Sequence, residues 1–168
     1  LVAAVAVISN FFKIDKLNKD IFKDFTQPSG RGNLKKIKLK KKTIQLIDES
    51  YNSNPLSLKF SIEKFDKIET TNAKYLLLGD MLELGKFSKK LHSDIANNIN
   101  KTQISKVYVY GKDIIYTFNK LRTQKKGKIL KSNSEILRFI NNQINNNDYL
   151  MVKGSNSAGL NEIIKKLN

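Results

Sequence analysis

The sequence contains no cysteine and a single histidine, His92, in 168 residues. Without cysteine there is no disulfide, zinc knuckle, iron–sulfur ligation or thiol nucleophile. With one histidine there is no histidine-rich metal site. No apolar run approaches the roughly 18–20 residues that cross a bilayer. The longest, Leu1–Ile8, also lacks the basic start of a secretory signal. No membrane partner is expected. The first residue is Leu1 rather than Met, so the sequence is expected to be a piece of a longer chain.

Arginine is scarce too. Lys plus Arg total 31 against 15 Asp plus Glu, a net charge of +16, yet only Arg31, Arg122 and Arg138 are arginines. Such a charge invites a nucleic-acid or anionic-surface reading. Bidentate recognition of phosphates and base edges falls to arginine, so nucleic acid is the disfavoured partner. The lysine excess, with 19 asparagines and 19 isoleucines, reads as compositional bias rather than function. The common phosphate loops are missing as well. From Gly79 to Gly85-Lys86 the spacing is one residue too long for a Walker loop and continues with Phe87. Gly30-Arg31-Gly32 lacks the third glycine of a dinucleotide fingerprint.

What is present is ordinary for a folded domain: 40 % hydrophobic and 27 % charged residues. Leu1–Phe12 is apolar at nearly every position and reads as a buried helix. Asp15–Asp24 reads as an amphipathic one. Gln27-Pro-Ser-Gly-Arg-Gly-Asn33 marks a hinge and a domain boundary. Beyond it Leu34, Ile37 and Leu39 suggest a short strand. Strands then follow at Thr43–Asp48, Lys74–Gly79, Lys106–Gly111, Lys128–Leu130 and Asp148–Lys153. Helices alternate with them at Pro55–Ile68, Ser88–Asn100, Asp113–Leu121, Ser134–Ile144 and Ser157–Leu167. Such alternation predicts an α/β fold, an open, mostly parallel sheet with helices on both faces.

In such sheets ligands gather at the carboxyl ends of the strands. There the sequence places Asp48-Glu-Ser-Tyr-Asn-Ser-Asn-Pro55, Gly79-Asp-Met-Leu-Glu-Leu-Gly85, Gly111-Lys-Asp113 and Lys153-Gly-Ser-Asn-Ser157. The run from Ile47 to Pro55 resembles the D-[DE]-S-Y-N-A-N-P signature of the Mur ligase family. Leu78–Gly85, His92 seven residues later and Val152–Ser155 match the same family in order and spacing.

The resemblance implies the branch that joins D-alanyl-D-alanine to UDP-N-acetylmuramoyl-tripeptide, with ATP and Mg2+, in cytoplasmic peptidoglycan synthesis. In that scheme ATP phosphorylates the tripeptide carboxylate, and the dipeptide amine then attacks the acyl phosphate. Residues 1–29 would be the last helices of a central ATPase domain, and 30–168 a Rossmann-like C-terminal domain that closes over it. The P-loop and metal ligands would lie upstream, so this chain alone is expected to be inactive, with no metal site of its own. Partners would be the two substrates and the enzyme's own central and N-terminal domains. Two rivals stand beside this reading. One is a sister amide ligase with another amino-acid substrate; the other is a basic module for nucleic acid or anionic surfaces.

The resemblance assigns Arg31, Asp48, Glu49, Tyr51, Asn52 and Asn54 to ATP, and Lys153, Gly154, Ser155, Asn156 and Glu83 to the dipeptide side. Asp80 and His92 are weak catalytic candidates. Each has a structural alternative. Arg31 can form a hinge salt bridge, and Asp48 or Glu49 can be a helix N-terminal acid. Asn54 can cap the helix opened by Pro55. Asp80 and Glu83 can be solvated loop acids, and His92 a packed helix residue. The family's Lys-Gly-Ser-Arg reads Lys153-Gly154-Ser155-Asn156 here, and its Met-Glu further on reads Leu160-Asn161. With the arginine gone, Lys153 is the expected point charge for a dipeptide carboxylate. The backbone N–H groups of a helix beginning near Ser157 would assist it.

Overall fold

Strand and helix alternate from residue 42 to residue 165 in the computed structural model, which describes residues 2–13, 15, 18, 20, 23, 24 and 30–167. Helix α1 spans Val2–Ile8. A hairpin follows, β1 Asn33–Leu39 and β2 Lys42–Glu49, and then α2 Pro55–Asp66, β3 Lys74–Gly79, α3 Ser88–Ile99, β4 Lys106–Tyr110 and α4 Ile115–Lys120. The chain closes with β5 Lys126–Leu130, α5 Asn133–Gln143, β6 Tyr149–Lys153 and α6 Leu160–Lys165.

The six strands lie in the order β1-β2-β6-β3-β4-β5. β1 is antiparallel to β2, with Ile37 opposite Ile44. All other neighbours are parallel, with Asp48 level with Val152 and Leu77 level with Val152. β3, β4 and β6 are apolar at consecutive positions because both of their faces are covered. One face carries α5 and α6 over Ile44, Leu46, Leu77, Leu150 and Val152. The other carries α2 and α3 over Leu76, Leu78, Val107, Val109 and Met151. α2 starts where the sequence requires: Asn54 accepts from the Ser57 N–H at 2.8 Å, Ser57 Oγ accepts from the Asn54 N–H at 3.1 Å, and Pro55 occupies the first turn.

Lysines close the lower ends of several helices. Lys42 Nζ donates to the carbonyls of Ile140 and Asn141, at 3.0 and 2.6 Å, and also to that of Ile144, at the end of α5. Lys74 Nζ donates to the Asp66 carbonyl that ends α2 at 2.5 Å, and Lys126 Nζ to that of Asn119 in α4 at 3.3 Å. An ammonium satisfies orphan carbonyls and opposes the negative end of the helix dipole.

Several expectations change. The first helix is shorter than Leu1–Phe12 and is not buried; Val7, Phe11 and Phe12 are 61, 75 and 67 % exposed. An all-apolar helix needs cover on every side, and the sheet faces are already occupied by the later helices. The expected helix Asp15–Asp24 and hinge residues Gln27–Ser29 fall largely or wholly outside the described residues. The last helix begins at Leu160 rather than Ser157. Asn156–Ala158 forms a 3-10 turn, and Gly159 takes φ 75° before α6 starts.

Candidate active site

Chain order reverses at β6, which sits between β2 and β3. The crevice beyond the carboxyl ends of those strands is where an open α/β sheet collects ligands. Strand alternation sorts the two adjacent acids of β2. Asp48 turns with Ile44 and Leu46 toward α6, and Glu49 turns with Ile47 toward α2. Asp48 is buried, and its Oδ1 accepts from the Ser50 N–H at 3.0 Å and the Ser50 hydroxyl at 2.5 Å.

Glu49, Arg31, Tyr51, Asn52 and Asn54 line one cleft of ≈330 Å3, together with Gly30, Ser57 and Lys153. Five of the six residues expected around ATP therefore meet in one place. The guanidinium of Arg31 lies 4.3 Å from the centroid of the Tyr51 ring. Gly30 takes φ 78°, and its carbonyl accepts from the Tyr51 N–H at 3.1 Å. The N–H of Gly32 donates to the Asp48 carbonyl at 2.7 Å. The chain before β1 is thus clasped to the end of β2. Asn54 spends its side-chain carbonyl on the cap of α2, so the structural alternative for that oxygen holds.

Lys153, expected beside Ser155 and Asn156, instead lines this cleft with the residues expected around ATP. It is 2 % exposed, and its Nζ donates to the Asn52 carbonyl at 2.9 Å and lies 3.5 Å from Glu49 Oε2. The reason is again alternation: Lys153 shares a face with Met151, the α2 side. Burial pushes its ammonium pKa below the usual lysine value, and the Glu49 carboxylate opposes that shift. The helix expected to aim N–H groups at a carboxylate beside it starts too late to do so.

A second cleft of ≈240 Å3 is lined by Glu83, Ser155 and Asn156 with Tyr51, Asn52, Leu82 and Ser157. Ser155 knots it together. Its Oγ accepts from the Leu82 N–H at 2.9 Å, and its own N–H donates to the Asp80 carbonyl at 2.9 Å. Asn156 Oδ1 accepts from the Asn161 amide at 2.5 Å. Asp48 lines a third cleft of ≈280 Å3 with Tyr51, Asn156 and Lys165. Tyr51, 48 % exposed, borders all three.

Gly154 lines neither of the first two clefts. A Cβ there would meet Gly79 Cα at 3.1 Å and Leu160 Cδ1 at 3.2 Å, so its bareness serves strand and helix packing. Both weak catalytic candidates have polar atoms engaged by the backbone. Asp80 accepts from the N–H groups of Lys112, Asp113 and Ile114 at 2.9, 3.0 and 2.7 Å, holding the turn into α4. His92 is fully buried. Its Nε2 accepts from the Met81 N–H at 3.0 Å, which puts the proton on Nδ1, 2.9 Å from the Ser88 carbonyl.

Leu82 and Ser157 lie in the expected strand-end loops, whereas Ser57, on the first turn of α2, was missed as a lining residue. Ser53, within the expected loop, lines none of the three clefts described; it is 4 % exposed and its Oγ has no hydrogen-bond partner among the described residues. The signature quoted above has alanine at that position.

A family profile described as Mur ligase, glutamate ligase domain, matches residues 31–156. A UDP-N-acetylmuramoyl-tripeptide–D-alanyl-D-alanine ligase of Rickettsia prowazekii is 29 % identical over 157 residues, 90 % of this chain and 34 % of the relative. The Bacillus subtilis ligase of the same name is 28 % identical over 127 residues, 74 % of this chain and 28 % of the relative. The chain thus spans about a third of the curated relatives it matches. Among solved structures, MurF ligase from Thermotoga maritima in complex with ADP superimposes with a TM-score of 0.74 at 21 % identity. That match covers 98 % of this chain and 36 % of the other. MurF from Acinetobacter baumannii gives 0.70 at 21 % identity, over 84 % of this chain and 30 % of the other.

Proposed function

The chain belongs to the Mur ligase family, whose glutamate ligase domain it carries over residues 31–156, and from that premise we propose that it is the C-terminal part of an ATP-dependent ligase adding D-alanyl-D-alanine to UDP-N-acetylmuramoyl-tripeptide. The observation that carries this reading is the meeting of Arg31, Glu49, Tyr51, Asn52 and Asn54 in one cleft. Curated relatives that carry the D-alanyl-D-alanine ligase name support the substrate assignment. Residues 1–29 are assigned to the preceding central domain and residues 30–168 to the C-terminal one. The reaction and the substrates place the enzyme in the cytoplasm.

In this proposal the ≈330 Å3 cleft takes the nucleotide. Arg31 offers a permanent forked cation to phosphate oxygens. Glu49 is a hydroxyl acceptor at a strand end, and Tyr51 holds the guanidinium in place. Lys153 adds a second positive charge from beneath. The ≈240 Å3 cleft, with Glu83, Ser155, Asn156 and Ser157, is assigned to the incoming dipeptide. These groups bind and orient; transfer of the terminal phosphoryl group to the tripeptide carboxylate, and attack of the dipeptide amine on the acyl phosphate, need groups outside this chain. Among the described residues no three His, Asp or Glu side chains are placed to hold a metal ion; in this proposal Mg2+ is held mainly by the central domain.

The test is phosphate release by the full-length protein. It is expected only when ATP, UDP-N-acetylmuramoyl-tripeptide and D-alanyl-D-alanine are all present, and residues 1–168 alone should release none. Turnover with a different amino acid in place of the dipeptide would move the protein to a sister ligase.

A further inference from the structure

From residue 25 to residue 47 the sequence has no Asp or Glu, yet it holds Arg31 and six lysines between positions 35 and 42. A compositional bias toward lysine does not by itself remove the acids. The structure disposes of these lysines in three ways. Lys35 faces α6 and shares the Asp48 cleft. Lys42 is spent on the end of α5. Lys36, Lys38, Lys40 and Lys41 remain exposed, with no hydrogen bond or ion pair among the described residues.

Ile37 packs with the α5 and α6 layer, so Lys36 and Lys38 stand on the opposite face of β1, beside α2. Their neighbours across the ladder are Gln45 and Thr43, which carry no charge. Lys36 and Lys38 are exposed there among the described residues. Leu34, on the same face, is 56 % exposed and shares a cleft of ≈190 Å3 with Lys64, Phe65 and Ile68. α2 adds exposed Lys64, Lys67 caps its end and is exposed too, and Phe60, one turn before Lys64, is 64 % exposed. The acids nearby are few: Glu63 pairs with Lys59 at 3.9 Å, Asp66 accepts from the Gln103 N–H at 2.7 Å, Glu49 pairs with Lys153, and Glu69 is exposed beyond α2. Lysine on an edge strand also guards against strand pairing. That explains charge on β1, but not the lysines of α2 or the apolar Leu34 and Phe60 among them.

We propose that this face adsorbs to the surface of an anionic phospholipid bilayer. The patch is broad and built of lysine without arginine, which suits many diffuse headgroup contacts rather than bidentate reading of a nucleic acid. Leu34 and Phe60 supply apolar groups that enter the boundary between headgroups and acyl chains. Adsorption needs no spanning segment, so it is compatible with the lack of any described helix long and apolar enough to cross a membrane. The sequence alone gives no spanning segment and a charge excess spread along the chain; the fold gathers part of that excess on one face.

The experiment is co-sedimentation of the full-length protein with phosphatidylglycerol-rich and pure phosphatidylcholine vesicles, with competing DNA in a third arm. Binding to the anionic vesicles alone is expected, lost at about 0.5 M salt. The triple substitution Lys36→Gln, Lys38→Gln, Lys40→Gln should weaken it by about tenfold or more. Lys90→Gln, Lys101→Gln, Lys120→Gln, which removes the same charge elsewhere, should leave it within about twofold. Circular dichroism checks that both triples remain folded. Equal losses in both triples, binding to neutral vesicles as well, or retention of DNA without retention of vesicles would each overturn the proposal.

Discussion

Arg31 rests its guanidinium 4.3 Å from the Tyr51 ring centroid, and the carbonyl just before it accepts the Tyr51 N–H at 3.1 Å. One residue of the β2 loop therefore fixes both the backbone and the side chain of the hinge arginine. In the full-length ligase Arg31→Ala should lower kcat/KM for ATP by roughly ten- to a hundredfold, the worth of a charge-assisted contact of about 1.5–3 kcal/mol. Tyr51→Leu keeps the cation but removes the ring beneath it. It should reproduce part of the loss, up to about tenfold. Unchanged ATP kinetics in both variants would remove Arg31 from the nucleotide site.

Lys153 offers a sharper test, because sequence and structure point it in different directions. Lys153→Met should raise the KM for ATP by about tenfold while sparing D-alanyl-D-alanine. Steady-state kinetics with each substrate varied in turn separates the two. A selective effect on the dipeptide would restore the sequence assignment.

The same lysine predicts a pH dependence. Its folded-state pKa lies below its unfolded value because burial penalises the ammonium. Between the lowered pKa and about 10.4 the unfolded chain then binds more protons, so this group's contribution to stability rises with pH. Wild type should gain stability relative to Lys153→Met between about pH 8 and about pH 10. Glu49→Gln removes the opposing carboxylate and should move the onset of that gain to lower pH. Urea melts at the two pH values provide the comparison; a difference that stays flat would show that the ammonium is not desolvated.

Ser53→Ala should stabilise the protein. The buried hydroxyl has no partner among the described residues, and an unsatisfied buried polar group costs about 1–3 kcal/mol. Removing it should recover about 1 kcal/mol, seen as a rise in Tm of a few degrees. A fall in Tm would mean that the hydroxyl is satisfied by something that enters the loop.

The sequence announced its parallel core plainly, because β3, β4 and β6 are apolar on consecutive residues and each is followed by turn signals and a helix. The strand order was not legible. β6 enters between β2 and β3 through contacts distant in sequence, and that insertion makes the crevice. The hairpin of β1 and β2 was half visible: two strands were read, but their two-residue turn, Lys40-Lys41, carries none of the glycine or asparagine that usually marks one. The site was legible as a set of loops and not as a geometry. Motif spacing named Asp48, Glu49 and Lys153, whereas the two-residue period of the strands decided which of them share a face. His92 and Asp80 were named by the same motifs, yet their polar atoms are engaged by backbone groups a single sequence does not place near them.

The lysines that close the helices at the far side of the sheet turn a compositional excess into a chemical record of the folded state. Lys42 and Lys74 have ammonium groups engaged by helix-ending carbonyls, while Lys36, Lys38 and Lys40 stand in solvent. An amine-reactive label will therefore mark the open lysines quickly and the clasped ones slowly. Each slow site reports on one joint, α5 through Lys42 and α2 through Lys74, so the order in which protection fails under denaturant dates the fraying of those helices one by one.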